Sequence, residues 1–361
     1  MVGREKTPRL YEYSGAVHLH STVSDGSLPI PEIAAIAEEK GLDFVMFSDH
    51  HTLEPKRQGL EGWYGSLFAL IGYEINDRDN RNHYLAFKID NEAEGDTAEE
   101  YVSEVNKAGG IGIIAHPAEK RQFSDAYPPY PWTNWDIEGF DGIEIWNQLS
   151  EWMEGLTRGN MFWRIWHPLR SIRFPEWEIL RRWDSFNKER RVVGIGGIDV
   201  HAFPLKVLGI IPIEVYPYKV QFKSIRTHIL TKRQLIREGD RLPAAEAEKE
   251  IYNAICLGRC FICNYSLGDA RGFVFRAGTG NGEAVMGSRF RTENDVRFYT
   301  AVPQKAHIRL LRDGIVVAET KGTAVDYISS EPGVYRVEVF RKKRGWIYSN
   351  PIVLLDSEEK K

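Results

Sequence analysis

The feature that most constrains this chain is a recurring pairing: apolar runs that finish in histidine or carboxylate. AVHLH finishes with His18 and His20, LDFVMFSDHH with Asp49, His50 and His51, and SLFALIGYEI with Glu74. IGIIAHP, GIEIWN and RVVGIGGIDVHA follow the same rule, with His116, Asn147, Asp199 and His201. Helix-like segments lie between these runs. PIPEIAAIAEEKG carries Pro near its start and Gly41 at its end, and TAEEYVSEVNKAGG opens at Thr97 as an N-cap and stops at glycine. Such alternation predicts α/β units around a mostly parallel sheet or a (β/α) barrel. In a barrel the C-terminal strand ends form one rim, the place where such folds carry their sites. His83 opens its run (HYLAFKI) instead of closing it. A strand antiparallel to its neighbour would bring that start to the same rim.

The polar strand ends collect as metal-ligand candidates: His18, His20, Asp25, His50, Glu74, His83, His116, Asp199 and His201. On a regular strand residues two apart share a face, so the imidazoles of HLH can reach one ion. Imidazole and carboxylate together suit zinc, manganese or iron. Singly, each residue has an ordinary explanation, and Asp25-Gly26 is a good turn dipeptide. Together they account for most of the ten histidines in the chain.

Composition narrows the partners. The chain has 361 residues, 42% hydrophobic and 27% charged, with a net charge of -4, an ordinary soluble balance without a basic field for nucleic acid. The basic run YKVQFKSIRTHILTKR (218–233) keeps single-stranded nucleic acid open but reads as a solvated face. No apolar run is long enough to span a bilayer, and the opening MVGREKTPRLYEYSG lacks the apolar segment of a signal peptide. The expectation is a cytoplasmic protein; nothing in the sequence indicates its oligomeric state. Three cysteines, Cys256, Cys260 and Cys263, have the C-x3-C-x2-C spacing that holds an iron–sulfur cluster in radical enzymes. They fall, however, where EKEIYNAICLGRCFICNY reads as a helix, ended by Gly258, running into a strand. Cys260 and Cys263 then point to opposite faces and serve as small buried hydrophobes.

Two regions differ from the α/β pattern. Eight of the ten tryptophans lie between Trp132 and Trp183, within a segment (127–191) that reads as a partly helical elaboration. Arg158, Arg164, Arg170, Arg173, Arg181 and Arg182 are interspersed there. Aromatic packing is the favoured reading of this segment, and a pocket wall beside the rim the second. Arg170, Arg173 and Lys206, which lies just past DVH, are the candidates to hold the anionic part of a substrate. From about Ser266 helical patterns vanish. GFVFRAG, DVRFYTAV, HIRLLRDGIVVAE and GVYRVEVFRKK are short and β-rich, with a hairpin predicted around Asp313-Gly314. The chain therefore divides into 1–265 and a small β-sandwich of immunoglobulin type at 266–361.

HLHSTVSDG, SDHHT, GYEI, the isolated His83, IIAHP and GGIDVHA resemble, in order, the motifs of the PHP (polymerase and histidinol phosphatase) metal-dependent phosphoesterases. The likeness covers roughly residues 14 to 265. The appended β-sandwich resembles the branch that includes carbaryl hydrolase-type proteins. This resemblance implies a distorted seven-stranded (β/α)7 barrel holding two or three divalent ions (Zn, Mn or Fe). It implies His18, His20, Glu74 and Asp199 at the first ion and Asp25, His50 and His201 at the second. His83 and His116 complete the third, with Glu74 bridging the first and third. Asp49 is expected to orient a metal-binding histidine. His51, where the family often has Asn or Asp, is expected to be an extra polar rim residue. The implied activity is hydrolysis of a small-molecule phosphate ester by hydroxide formed on the ions. The same hydroxide acting on a carbamate or aryl ester is the alternative, for which a Trp-rich wall is suited. A non-catalytic binding protein with a decayed site is the third reading, and the filling of every ligand position argues against it.

Overall fold

The computed structural model describes residues 9–123, 128–207, 211–279 and 282–356, with the side chains of 203–207, 211–214 and 279 outside the description. Tyr127, the first residue of the Trp-rich elaboration, also lies outside the described residues. Nine strands organise the α/β part: β1 (Tyr11–Leu19), β2 (Phe44–His50), β3 (Leu67–Ile75), β4 (Tyr84–Phe87), β5 (Ile111–Ile114), β6 (Gly142–Asn147), β7 (Val193–Gly197), β8 (Ile225–Thr231) and β9 (Cys260–Asn264). β1, β2 and β3 pair in parallel and in order, and β5, β6 and β7 do the same. β4 runs antiparallel to both β3 and β5. Its first turn of chain therefore lies at the end where its neighbours finish, which places His83 beside Glu74. Beyond β7, Val200 bridges back to Leu19 in parallel, with Ile198 N–H donating to Val17 O at 3.0 Å. On the other side of β1, β8 and then β9 add antiparallel.

Burial explains why these runs are strands. All nine residues of β3 are buried, as expected for a strand covered on both faces. Neighbours along a strand divide between two cores: Val45 and Phe47 pack in one, Phe44 and Met46 in the other. The helices cover the outside with narrow apolar stripes. α1 (Ile30–Glu39) buries Ile33, Ala34 and Ala37, and Gly41, at φ +70°, lets the chain leave it for β2. α2 (Ala98–Lys107) buries Tyr101, Val102 and Val105 behind a capping box made by Thr97 and Glu100.

In the Trp-rich elaboration lie the helices α3 (Gln148–Glu154), α4 (Met161–Trp166) and α5 (Trp177–Glu189). Trp132, Trp146, Trp152 and Trp183 are buried, consistent with aromatic packing, whereas Trp163, Trp166 and Trp177 are 48%, 80% and 63% exposed. Packing thus accounts for only part of this cluster.

The sheet continues into the C-terminal region, whose main strands are β10 (Val296–Arg312), β11 (Ile315–Ser329), β12 (Gly333–Arg341) and β13 (Arg344–Ser349). β10 and β11 form the hairpin expected at Asp313-Gly314, both of which have positive φ. A separate core gathers Phe273, Phe298, Val337 and Trp346. β13 pairs directly with β9. Two buried polar contacts reinforce this junction. Arg336 donates to both carboxylate oxygens of Asp184, at 2.6 and 2.9 Å, and the Asn350 amide donates to Gly194 O and Cys260 O. Among the described residues no helix is long and apolar enough to cross a membrane.

The cysteines sit as the pattern predicts. Cys256 ends a helix, α6 (Ala244–Cys256), while Cys260 and Cys263 lie on β9 and pack into different cores. Burial pushes all three thiols up. In the basic run at 218–233, Lys219, Lys223, Lys232 and Arg233 are exposed, as expected of a solvated face, while the residues between them include most of the buried β8. Arg226 is fully buried, donating to the Phe222 and Lys40 carbonyls with its guanidinium 3.7 Å from the centre of the Tyr265 ring.

Candidate metal centre

Every predicted ligand converges on one end of the sheet. Glu74, the last-but-one residue of β3, stands at the middle with both oxygens engaged. Its Oε1 is 2.6 Å from His83 Nδ1 and 3.2 Å from His116 Nε2. Its Oε2 is 3.0 Å from His18 Nε2, 3.3 Å from His20 Nε2 and 3.5 Å from His50 Nδ1. Asp199 Oδ1 lies 3.5 Å from His18 Nε2, 3.4 Å from His20 Nε2 and 3.5 Å from His201 Nδ1. Asp25 reaches in from the turn after β1, with Oδ2 at 3.2 Å from His201 Nε2 and 3.7 Å from His50 Nε2. Its Oδ1 is 3.7 Å from His20 Nδ1.

The HLH strand end is less regular than its spacing suggests. The register of β1 against β2 shifts between Val17 and Leu19, and His18 has φ +67°. The two imidazoles still converge, with ring centres 5.1 Å apart. His116 (φ +25°) and Asp199 (φ +52°) also adopt backbone conformations that L-residues seldom hold. Such strain at three converging polar residues persists only where the surroundings fix it.

Electrostatics holds the cluster together. Burial opposes charge on His18, but the carboxylates of Asp199, Glu74 and Glu144 outweigh it and raise its pKa well above the usual imidazole value. His20 is pushed up to about 10 and His116 to about 9, in both cases against desolvation. His50 moves the other way, to about 4, because burial dominates there and His20 and His201 repel its charge. Burial would raise Glu74 and Asp199, yet the surrounding histidines hold both well below the usual carboxylate range. Asp25 is held at about 2 by His201, His20 and His50 against its own partial burial.

The donor set fits divalent ions. Among the described residues, four overlapping groups bring ligand atoms within 4.8 Å of one another: His20, Asp25, His50 and His201; His18, His20 and Glu74; His18, His116 and Asp199; Glu74, His83 and His116. Both ring nitrogens of the fully buried His20 lack a hydrogen-bond partner, as do His83 Nε2 and His116 Nδ1. Orphaned polar atoms at such depth cost free energy unless something else meets them, and His20 aims both nitrogens into these groups. Two of these groups, His18 with His20 and Glu74, and Glu74 with His83 and His116, match the division that the resemblance implies; in the other two, His20 joins Asp25, His50 and His201, and His116 joins His18 and Asp199.

Asp49 has partners other than the expected histidine. Its buried carboxylate accepts the Ser21 N–H (2.7 Å) and hydroxyl (2.8 Å) and the Ser24 N–H (3.2 Å) and hydroxyl (2.7 Å). It therefore fixes the turn that carries Asp25. The orienting role falls to Glu144, which sequence reasoning missed. Its Oε1 is 3.1 Å from His18 Nδ1, and its Oε2 accepts the His116 N–H at 2.7 Å and the Asn147 amide at 2.9 Å. The available signal was a carboxylate inside the apolar run GIEIWN. Tyr130 stacks on His83 at 5.0 Å and also escaped notice. His51 is an exposed rim residue paired with Asn76 Oδ1 at 2.8 Å.

A cavity of about 490 Å³ opens beside His116 and Glu144 and extends beneath the Trp-rich elaboration. Trp146, Asn147, Glu151, Arg164, Arg173 and Trp177 are among its lining residues. Of the three cations proposed to meet a substrate, Arg173 lines this cavity, Arg170 is exposed outside its lining, and the Lys206 side chain lies outside the described residues.

No family model matches the chain, and no curated protein does. Among solved structures it is similar to a two-domain protein from Bacteroides vulgatus containing a predicted PHP-like metal-dependent phosphoesterase. That likeness has 14% identity and a TM-score of 0.46, and covers 95% of this chain and 96% of that one. It is also similar to a candidate metal-dependent phosphoesterase from Bifidobacterium adolescentis, at 17% identity and TM-score 0.32 over 52% of this chain and 87% of that one. An amidohydrolase from Chromobacterium violaceum, solved with bound sulfate and no metal, matches at 14% identity and TM-score 0.32 over the same shares.

Proposed function

We propose that the chain is a metal-dependent hydrolase acting on a small-molecule phosphate ester, with residues 1–265 as a distorted (β/α)7 barrel and 266–361 as an immunoglobulin-like β-sandwich. The strand path from β1 to β7 with the Val200–Leu19 return supports the barrel. One observation carries the functional reading: the two oxygens of buried Glu74 face different imidazole sets, which suits a carboxylate shared between cations. His18, His20, Asp25, His50, Glu74, His83, His116, Asp199 and His201 are the proposed ligands. These residues would hold two or three divalent ions, which when bound would supply a water of lowered pKa and neutralise phosphoryl oxygens. Glu144 orients His18 and the His116 backbone, Asp49 holds the Asp25 turn, and Arg173 offers charge to the phosphate from the cavity wall.

Phosphate release from a panel of phosphomonoesters and nucleotides, with manganese-, zinc- or iron-loaded protein, tests this reading. Release abolished by chelation is expected; no release with any of the three ions overturns it. The aromatic wall of Trp146, Phe174 and Trp177 favours a second reading, hydrolysis of an aryl ester or carbamate. Turnover of phosphate-free aryl substrates in preference to phosphate esters would select it.

A further inference from the structure

The outer wall of the cavity beside His116 includes Ser171 and 173–177, in a stretch (169–177) that is irregular except for a single 3-10 turn (Pro168–Arg170) at its start and the first residue of α5 at its end. A segment without a ladder of its own must be fixed by its surroundings. Two groups do this from opposite sides. Glu151, on α3, accepts the Arg173 N–H (2.5 Å) and Phe174 N–H (3.1 Å) with Oε1, while its Oε2 accepts the indole N–H of Trp146 (2.7 Å). Trp146 belongs to β6, the strand that also carries Glu144. From the C-terminal region, Gly345 N–H donates to Arg173 O at 2.6 Å. Arg344 Nη1 donates to Leu169 O at 3.0 Å and Ile172 O at 3.4 Å. Tyr348 packs edge-on against Trp146, ring centres 5.3 Å apart.

We propose that the C-terminal region is a working part of the substrate site: Arg344 and Gly345, at the start of β13, and Glu151 clamp the Leu169-to-Phe174 segment, which carries part of the cavity wall, and so set which leaving groups the cavity accepts. The proposal rests on the hydrolase reading for its substrate, but the clamp itself is independent of it. Arg344 and Glu151 are positioning residues here; they act through the wall. Both sides of the Arg173 peptide are held, one by each part of the chain. Loss of either side frees the segment that presents Arg173, Phe174 and Trp177 to the cavity.

The test compares full-length manganese-loaded wild type with Arg344→Ala and Arg344→Lys. Hydrogen exchange is followed at the amides of 169–177, and kinetics are measured with p-nitrophenyl phosphate. Arg344→Ala is expected to accelerate exchange at Arg173 and Phe174 and to raise KM about tenfold while kcat stays within about twofold, the pattern of lost ground-state positioning. Arg344→Lys, with one flexible ammonium in place of a fork, should fall between. Manganese stoichiometry should match wild type in both. Unchanged exchange in Arg344→Ala overturns the clamp, and so does a fall in kcat with KM unchanged. A wild type that hydrolyses no phosphate ester overturns the hydrolase reading instead, and the exchange measurement still decides the clamp.

Discussion

Replacing Glu74 with glutamine should disturb more than one ion at once, because the carboxylate is shared. Oε1 is within 3.2 Å of both His83 and His116, and Oε2 is within 3.5 Å of His18, His20 and His50. Glu74→Gln keeps the shape and one carbonyl oxygen but removes a full charge from both sides. A unit charge pair at about 4 Å and an effective dielectric of about 20 is worth about 4 kcal/mol. Taking one such unit as the loss per neighbouring ion, since the amide oxygen still coordinates, each affected site weakens by about a thousandfold. Titration calorimetry with manganese, followed by elemental analysis after dialysis, reads this directly. The variant should keep at most the ion supported by Asp25, His50 and His201. Retention of the full wild-type stoichiometry, or weakening confined to one ion, would refute the claim that Glu74 is shared.

Glu144→Gln should lower manganese affinity about 10- to 100-fold with the ligands themselves intact, because it leaves His18 Nδ1 and the His116 N–H without their carboxylate; wild-type affinity in titration would count against that orienting role. Asp49→Asn should loosen the Ser21–Ser24 turn and weaken the group containing Asp25 while sparing Glu74, His83 and His116, as seen by site-resolved histidine NMR shifts on zinc addition. Metal binding should also release protons. His20 and His116 have pKa values raised to about 10 and about 9, so the metal-free protein holds them protonated at pH 7, whereas an ion needs neutral imidazole. Apparent affinity should therefore rise with pH from 6 and level off near 10. Identical binding enthalpies in buffers of different ionisation enthalpy at pH 7 would contradict this.

Much of this arrangement was legible in the sequence because strand periodicity and polar strand ends are local signals. His20, His50, His116 and His201 each follow an apolar run, and the antiparallel course of β4 explains His83, the one histidine out of step. What escaped was long-range. Glu144 hides in an apolar strand, and its partners His18 and His116 are 126 and 28 residues away. Asp49 sits next to His50 in sequence, yet it turns to Ser21 and Ser24, because a strand alternates its faces. Arg226 was equally hidden: alone among the lysines and arginines of 218–233 it is buried, paired with backbone carbonyls. The clamp on 169–177 joins residues from three distant parts of the chain, and no local pattern announces it.

The most direct measurement is anomalous diffraction from crystals of the manganese-loaded protein. The account predicts density between Glu74 Oε1, His83 and His116, and density among His20, Asp25, His50 and His201. Anomalous peaks only away from Glu74, or none at saturating manganese, would contradict it.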